Sequence, residues 1–194
     1  LVIADGKSNP KFVAADLLSQ AEHDKMASAV LVTDSAELAE QVSAELERQI
    51  PLLPRAEIAR ISIDNNGKII VADNLFDVIE VANEIAPEHL ELSVDNPFDY
   101  LDKIKNAGSI FMGRYCPEAL GDYFAGPNHT LPTSGTARFS SPLSVDDFVK
   151  KSQYTYYTKD ALGKSAESVA FFAEKEGLSA HARSVTVRFE DETK

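Results

Sequence analysis

The feature that most constrains the fold is the alternation of short apolar runs with segments of helical periodicity. Apolar runs at residues 1–4 and 29–33 each precede a segment whose apolar side chains recur at helical spacing, residues 10–23 and 35–50. Further strand-like runs follow at residues 68–71, 90–94 and 109–112. Buried strands that alternate with helices form parallel sheets covered by helices. The sequence therefore predicts an α/β fold whose parallel sheet has about five strands.

The remaining part of the chain has a different composition. Residues 121–143 are rich in Gly, Pro, Ser, Thr and Asn and have little periodicity, which is typical of loops that carry function. We therefore predict an α/β domain at residues 1–142 and a small, mainly helical domain at residues 143–194. The second domain should contain a short helix that starts after Ser144, an aromatic β-like run at residues 154–158 and a helix at residues 160–176. A last amphipathic segment should follow from residue 178 to about residue 190. At roughly 50 residues without disulfides it is small for independent folding, so we expect it to dock on a partner surface.

Composition excludes several classes of function. Acidic residues outnumber basic ones 31 to 19, and the net charge of -12 would repel nucleic acid and anionic membranes. The single cysteine, Cys116, permits no internal disulfide and no paired-cysteine metal site, so any metal must be held by His, Asp, Glu or amide oxygen. No apolar run approaches the roughly 20 residues that span a bilayer, and no leader is visible. We expect a cytoplasmic protein, and the opening strand without an initiator Met suggests a missing amino-terminal part.

Two pairs of residues in the α/β region have the spacing of a metal or acid-base site. Gln20 and His23 are three apart on a predicted helix, so both side chains can meet the same ion; a solvated polar face is the simpler alternative. Glu88 and His89 are adjacent at a helix-to-strand junction, where α/β sheets collect ligand-binding residues. The imidazole can act as general base and acid, and a partly desolvated Glu can deprotonate water. A helix cap beside a surface histidine is the alternative.

Three further segments carry chemically useful groups. The glycine-punctuated loop 121–129 holds Asp122, which suits a divalent ion, and His129. The adjacent segment 132–141 offers hydroxyls and backbone amides for an anion but matches no phosphate-binding fingerprint. Glu176 and His181 are five apart and can converge only through the turn at Gly177; a surface histidine is the alternative. The residues alone indicate a metal or acid-base site and identify no substrate.

Several of these segments, taken in order, resemble the histidinol dehydrogenase family along nearly the whole chain. The matching stretches are residues 16–24, 84–91, 121–131, 136–141 and 176–181. The resemblance implies an incomplete Rossmann-like parallel sheet flanked by helices, with a small helical C-terminal domain. It implies that the catalytic residues are Glu88 and His89. The implied zinc ligands are Gln20, His23, Asp122 and His181, and the implied substrate contacts are these four residues together with His89, His129 and Glu176.

The resemblance also implies an activity. Family members oxidise L-histidinol to L-histidine with zinc and NAD, in two successive hydride transfers through histidinaldehyde. His89 is then expected to remove the hydroxyl proton, and Glu88 to activate water for hydration of the aldehyde. The family is a homodimer in which the tail of one subunit completes the other subunit's site, so Glu176 and His181 would act in trans.

The main departure from the family is length. The family's N-terminal half, which holds most NAD contacts, is absent from this chain, so we expect weak turnover by this chain alone. A non-catalytic dimerising fragment that retains the zinc and substrate motifs is the first alternative. A zinc-dependent hydrolase built on Asp122 and the histidines is the second. The weakest alternative is a small anion-binding module at residues 121–141.

Overall fold

A computed structural model of the chain describes residues 1–190, and a five-stranded parallel sheet forms its centre. The strands are β1 (Val2–Ala4), β2 (Val30–Thr33), β3 (Lys68–Val71), β4 (His89–Ser93) and β5 (Ser109–Met112). They lie in the order β3-β2-β1-β4-β5, and every neighbouring pair is parallel. The predicted α/β class with a parallel sheet is confirmed.

Helices connect the strands, and local sequence signals explain where they begin. They are α1 (Pro10–Ala21), α2 (Ala36–Gln49), α3 (Ala56–Asn66), α4 (Leu75–Ile85) and α5 (Glu118–Tyr123). Asn9, Ser35 and Asn74 cap α1, α2 and α4, because each side-chain oxygen accepts a backbone N–H of the first turn. The sequence analysis did not predict α3, which has no side-chain cap.

The three central strands β1, β2 and β4 are buried on both faces, as expected for parallel strands between helices, whereas the edge strand β3 is largely exposed. Alternate residues of a strand point to opposite faces, so Val2 and Ala4 of β1 belong to one core and Ile3 to the other. The first core includes Val13, Leu17, Leu31, Leu38 and Val42. The second core includes Val32, Val78, Ile79, Leu90 and Leu92. Two packed faces hold the central strands firmly, so residues at the strand ends have fixed positions.

The carboxyl edge of the sheet is joined by ion pairs. The Arg114 guanidinium donates to Asp5, which follows β1, at 2.7 Å and also to Asp95, which follows β4. Lys7 Nζ donates to the same Asp95 carboxylate at 2.7 Å. These bonds tie together the carboxyl ends of two neighbouring central strands.

Contacts divide the chain into two units, Leu1–Val149 and Lys150–Lys194. The second unit contains α6 (Lys159–Gly163), α7 (Ala166–Lys175) and α8 (Ser179–Thr186). The expected single helix at residues 160–176 is wrong, because the chain forms two helices that are interrupted near Ser165. The expected β-like run at residues 154–158 is also wrong: the segment is irregular, and a strand requires a hydrogen-bonded neighbour. No helix within residues 1–190 has the length and apolar character needed to cross a membrane.

Candidate functional site

The candidate site is a cleft of about 420 Å³ at the amino edge of the sheet. His89 is the first residue of β4, Leu1 and Val30 lie at the amino ends of β1 and β2, and Gln20 lies near the end of α1. The sequence argument for Glu88 and His89 relied on the rule that open α/β sheets bind ligands beyond the carboxyl ends of their strands. The structure corrects that reasoning, because Glu88 precedes β4 and His89 is its first residue, so both lie at the opposite edge.

The backbone that carries Glu88 and His89 is held from two sides. Helix α4 ends at Ala86, whose φ of 53° turns the chain toward the sheet. The Leu1 nitrogen donates to the carbonyl of His89 at 2.8 Å, and Ser109 N donates to the carbonyl of Glu88 at 2.9 Å. A Cβ on Gly108 would lie 2.5 Å from the Glu88 carbonyl oxygen, so only glycine permits this approach. The backbone positions of Glu88 and His89 are therefore fixed, and so are the directions in which their side chains start.

His89 is the most deeply buried of the sequence-predicted site residues, at 9% exposure. Its Nε2 lies 3.9 Å from Glu118 Oε1 and 4.0 Å from Asp122 Oδ1, and neither ring nitrogen has a hydrogen-bond partner among the described residues. Burial lowers the pKa of His89, and the negative charge of Asp122 opposes that shift. A lowered pKa keeps the imidazole neutral at pH 7 and able to accept a proton.

Helix α5 supplies the two carboxylates that face His89. Glu118 and Asp122 are four residues apart, so they share one face of the helix. A Cβ on Gly121 would lie 2.4 Å from Cε1 of Phe111, which shows how closely α5 packs on β5. Ligand atoms of His89, Glu118 and Asp122 all lie within 4.8 Å of one another. A divalent ion or a protonated amine can bridge groups at this spacing.

Glu118 was missed by the sequence analysis. It is 6% exposed, and burial is the main cause that raises the pKa of its carboxyl group, with Asp122 adding to the effect. The signal that could have found it is the spacing of four between Glu118 and Asp122 on one predicted helical turn. Glu91 was a second signal, because it lies two residues after His89 in a strand that is buried along its whole length. A buried Glu is rare unless it has a polar partner, so a partner such as Glu118 was to be expected near β4.

Gln20, His23 and Glu88 complete this part of the site. Gln20 is half-buried and lines the cleft with Glu88, while His23 is exposed just after α1, where Arg55 donates to its carbonyl at 3.1 Å. Burial raises the pKa of Glu88, the charge of Asp122 raises it further, and His23 lowers it. His23 and Asp122 are thus within electrostatic reach of Glu88, although neither is among the residues that line the cleft in the described part of the chain.

The loop segment after α5 contributes a wall of the cleft. Thr133, Ser134 and Gly135 line it, and Arg138 anchors the segment by donating to the carbonyls of Gly135 and Glu84. The hydroxyl-rich segment is therefore held against the end of α4. His129 is exposed on the preceding loop and is not among the residues that line the cleft in the described part of the chain.

Glu176 and His181 lie in the second unit and share one groove. The groove has a volume of about 400 Å³ and is otherwise lined mainly by Val169, Phe172 and Leu178. Gly177, with φ of 75°, ends α7 and allows Leu178 N to donate to the carbonyl of Ala173 at 2.8 Å. The turn at Gly177 thus places both side chains on the same groove, as their spacing required.

The residues at the cleft are chemically suited to a metal ion. Gln20, His23 and Asp122 offer one amide oxygen, one imidazole and one carboxylate, a nitrogen and oxygen set that zinc accepts. Burial is the first cause that raises the pKa of the Glu88 and Glu118 carboxyl groups, and the negative charge of Asp122 raises both further. A cation bound beside these three carboxyl groups would offset their mutual repulsion.

Comparison with known sequences gives one family. The sequence profile of histidinol dehydrogenase matches residues 1–189. The chain is 63% identical over 187 residues to histidinol dehydrogenase of Caldanaerobacter subterraneus subsp. tengcongensis, covering 96% of this chain and 44% of the relative. It is 55% identical over 192 residues to the Listeria monocytogenes serovar 1/2a protein of the same name, covering 99% of this chain and 45% of that relative.

Comparison with solved structures agrees. The crystal structure of histidinol dehydrogenase from Elizabethkingia anophelis matches with a TM-score of 0.90 and 43% identity, over 96% of this chain and 43% of that protein. The chain therefore spans less than half the length of each of these relatives.

Proposed function

The chain belongs to the histidinol dehydrogenase family, and from this premise we propose that it supplies the metal-binding and proton-transfer site of an enzyme that oxidises L-histidinol to L-histidine. The observation that supports this most strongly is the buried His89 imidazole, which faces Glu118 and Asp122 without a hydrogen-bond partner among the described residues. Such a group, beside a half-buried Glu88, is suited to proton transfer in a cleft that attracts cations.

His89 is the general base in this proposal. Burial lowers the pKa of its imidazole, so the neutral form is available at pH 7 to take the proton of the substrate's hydroxyl group. Glu88, whose carboxyl pKa is raised by burial, takes a proton from water and so prepares the water to add to histidinaldehyde. The two adjacent side chains thus serve different protons, and His89 acts again in the second oxidation.

Gln20, His23, Asp122 and His181 are the proposed zinc ligands. Bound zinc supplies positive charge that anchors the imidazole and amine of the substrate. The two oxidations require a hydride acceptor, for which we propose NAD, bound mainly by the part of the family sequence that this chain does not cover. His129 and Glu176 are proposed to contact the substrate.

A second copy of the chain is the proposed source of Glu176 and His181 for each site. The second unit supports this, because its helices expose large apolar side chains: Phe171 is 62% exposed and Phe172 is 66% exposed. Exposed apolar surface of this kind is typical of an interface. The single cysteine, Cys116, is free, which fits the reducing, cytoplasmic location that we propose.

The activity is tested by NADH formation from L-histidinol and NAD after zinc is added to metal-free protein. The measurement compares this chain with a full-length family protein that contains it. We expect zinc-dependent NADH formation by the full-length protein and little by this chain alone. Absence of NADH formation by the full-length protein would contradict the proposed activity and leave the second candidate, a dimerising fragment that keeps the metal motifs.

A further inference from the structure

The three elements that carry Gln20, His89 and Asp122, namely α1, β4 and α5, meet at the carboxyl group of Glu91. We propose that Glu91, together with Asp16, is a positioning residue that holds the metal-ligand helix α1, His89 on β4 and the acidic helix α5 at a fixed spacing. The inference rests on the proposed function, and Glu91 itself takes no part in the proton transfers described above.

The first connection joins β4 to α5. Glu91 lies two residues after His89, so both side chains point to the same face of β4. Its Oε1 accepts the backbone N–H of Glu118 at 3.1 Å in a buried hydrogen bond. This N–H opens α5 and has no partner within the helix, so Glu91 satisfies a donor that burial would otherwise leave unpaired. The bond fixes the first residue of α5 relative to β4 and so sets the distances from Glu118 and Asp122 to His89.

The second connection joins β4 to α1. Asp16 is four residues before Gln20 on the same helix, and its side chain is hydrogen-bonded to that of Glu91. Ser19 adds to this junction, because its Oγ donates to the Asp16 carbonyl at 2.7 Å and lies 3.5 Å from Glu118 Oε2. The face of α1 that presents Gln20 is therefore tied to both other elements.

Two hydrogen-bonded carboxyl groups must share a proton, and the surroundings assign it to Glu91. Burial, followed by the charge of Asp16, raises the pKa of Glu91 to about 8. The neutral Glu91 then donates its O–H to the Asp16 carboxylate and accepts the Glu118 N–H. A glutamine side chain offers the same pattern, since its carbonyl oxygen accepts and its amide nitrogen donates. If Glu91 acts by positioning, Glu91→Gln should keep the zinc affinity and kcat of the wild type. If the charge of Glu91 matters, Glu91→Gln should lower them.

Leucine is the contrasting substitution at this position. Glu91→Leu keeps a buried side chain of similar size but leaves the Glu118 N–H and the Asp16 carboxylate without their partner. Glu40→Gln is the matched control, because Glu40 is exposed on α2, away from the cleft residues.

The experiment measures zinc affinity by calorimetry, together with kcat and KM for histidinol, in a full-length family protein that contains this chain. We expect Glu91→Gln and Glu40→Gln to stay within about twofold of the wild type, and Glu91→Leu to lose at least about tenfold in zinc affinity and in kcat, as supporting residues of metal sites do. Equal losses in the Gln and Leu variants would overturn the proposal, and so would an unchanged Leu variant.

A second pair covers the case in which Glu91→Leu does not fold, as judged by circular dichroism. Asp16→Asn keeps an oxygen that accepts from Glu91, whereas Asp16→Ala does not. We expect the Asn variant to bind zinc nearly as the wild type does and the Ala variant to bind it more weakly; equal affinities would overturn the proposal. Zinc affinity can be measured without turnover. A wild type that binds zinc but does not oxidise histidinol would contradict the proposed function, and the zinc affinities of the variants would still test the positioning role.

Discussion

Nε2 of His89 lies 3.9 Å from Oε1 of Glu118, too far for a direct hydrogen bond, although both side chains are buried. The two groups are thus separated by a space that a proton donor or a cation can bridge. Glu91 holds the first residue of α5, so this spacing is set by the fold and not by the two side chains themselves.

Loss of the His89 imidazole should lower kcat for histidinol oxidation much more than it lowers zinc affinity. His89→Gln removes the proposed base, and we expect kcat for histidinol oxidation to fall by at least about 100-fold, within the range for general bases. Zinc affinity should change far less, because His89 is not one of the proposed ligands. A variant with near wild-type kcat would show that another group takes the proton.

The rate should depend on pH through the same residue. Since burial lowers the pKa of His89 below its ordinary value of 6.5, the neutral base persists to lower pH than for an exposed histidine. We expect kcat/KM to fall on the acidic side only as the pH drops below about 6.5. A profile of rate against pH for the wild type measures this, and an acidic limb centred well above that value would contradict the assignment.

Stability should depend on pH through Glu91. Its pKa is raised from 4.5 to about 8 in the folded chain, so its contribution to stability is full below 4.5 and is lost as the pH rises through 8. Urea denaturation at pH values from about 4.5 to about 8 should show falling stability for the wild type and a smaller fall for Glu91→Gln. Parallel curves for the two proteins would be inconsistent with a buried neutral Glu91.

Close packing of α5 gives a prediction at Gly121. A Cβ there would lie 2.4 Å from Phe111 Cε1, so Gly121→Ala must displace the ring and should cost about 1–3 kcal/mol in the free energy of unfolding. Adding Phe111→Leu should recover part of that loss. Gly163→Ala is the control, since its Cβ would make only an ordinary contact of 3.4 Å with Phe189. If the two single variants are equally stable, α5 does not pack as described.

The ion pairs at the carboxyl edge should matter for stability alone. Arg114→Ala leaves the largely buried Asp5 carboxylate without its main partner and should cost about 2 kcal/mol in the free energy of unfolding. Zinc affinity should stay within about twofold of the wild type, because the cleft lies at the other edge of the sheet. A large loss of zinc affinity would place the metal elsewhere.

Much of the fold was predictable because it depends on local patterns. The apolar runs of β1 and β2 are encoded within a few residues, and the parallel sheet follows from their alternation with helices. Helix α3 was missed because no side chain caps it, and residues 154–158 were predicted wrongly because aromatic content alone does not supply a neighbouring strand.

The site was predictable only as separate residues. Motifs pointed to Glu88, His89 and Asp122, but their convergence depends on the strand order, which a sequence pattern does not fix. Glu118 and Glu91 were missed because their importance depends on the packing of α5 against β4, where both side chains are buried and the Glu118 N–H donates to Glu91. That packing is not visible in the sequence. The general rule for α/β sheets also pointed to the wrong edge, since Glu88 and His89 lie where α4 connects to the amino end of β4.

The most direct test of the central claim is a calorimetric titration of zinc into metal-free, full-length family protein that contains this chain, with L-histidinol present. We expect one ion per chain, bound more tightly with histidinol than without it. We expect His23→Ala to weaken this binding by at least about tenfold and Arg114→Ala to leave it unchanged. Absence of zinc binding, or equal affinity in the wild type and His23→Ala, would contradict the assignment of the amino-edge cleft as the metal and substrate site.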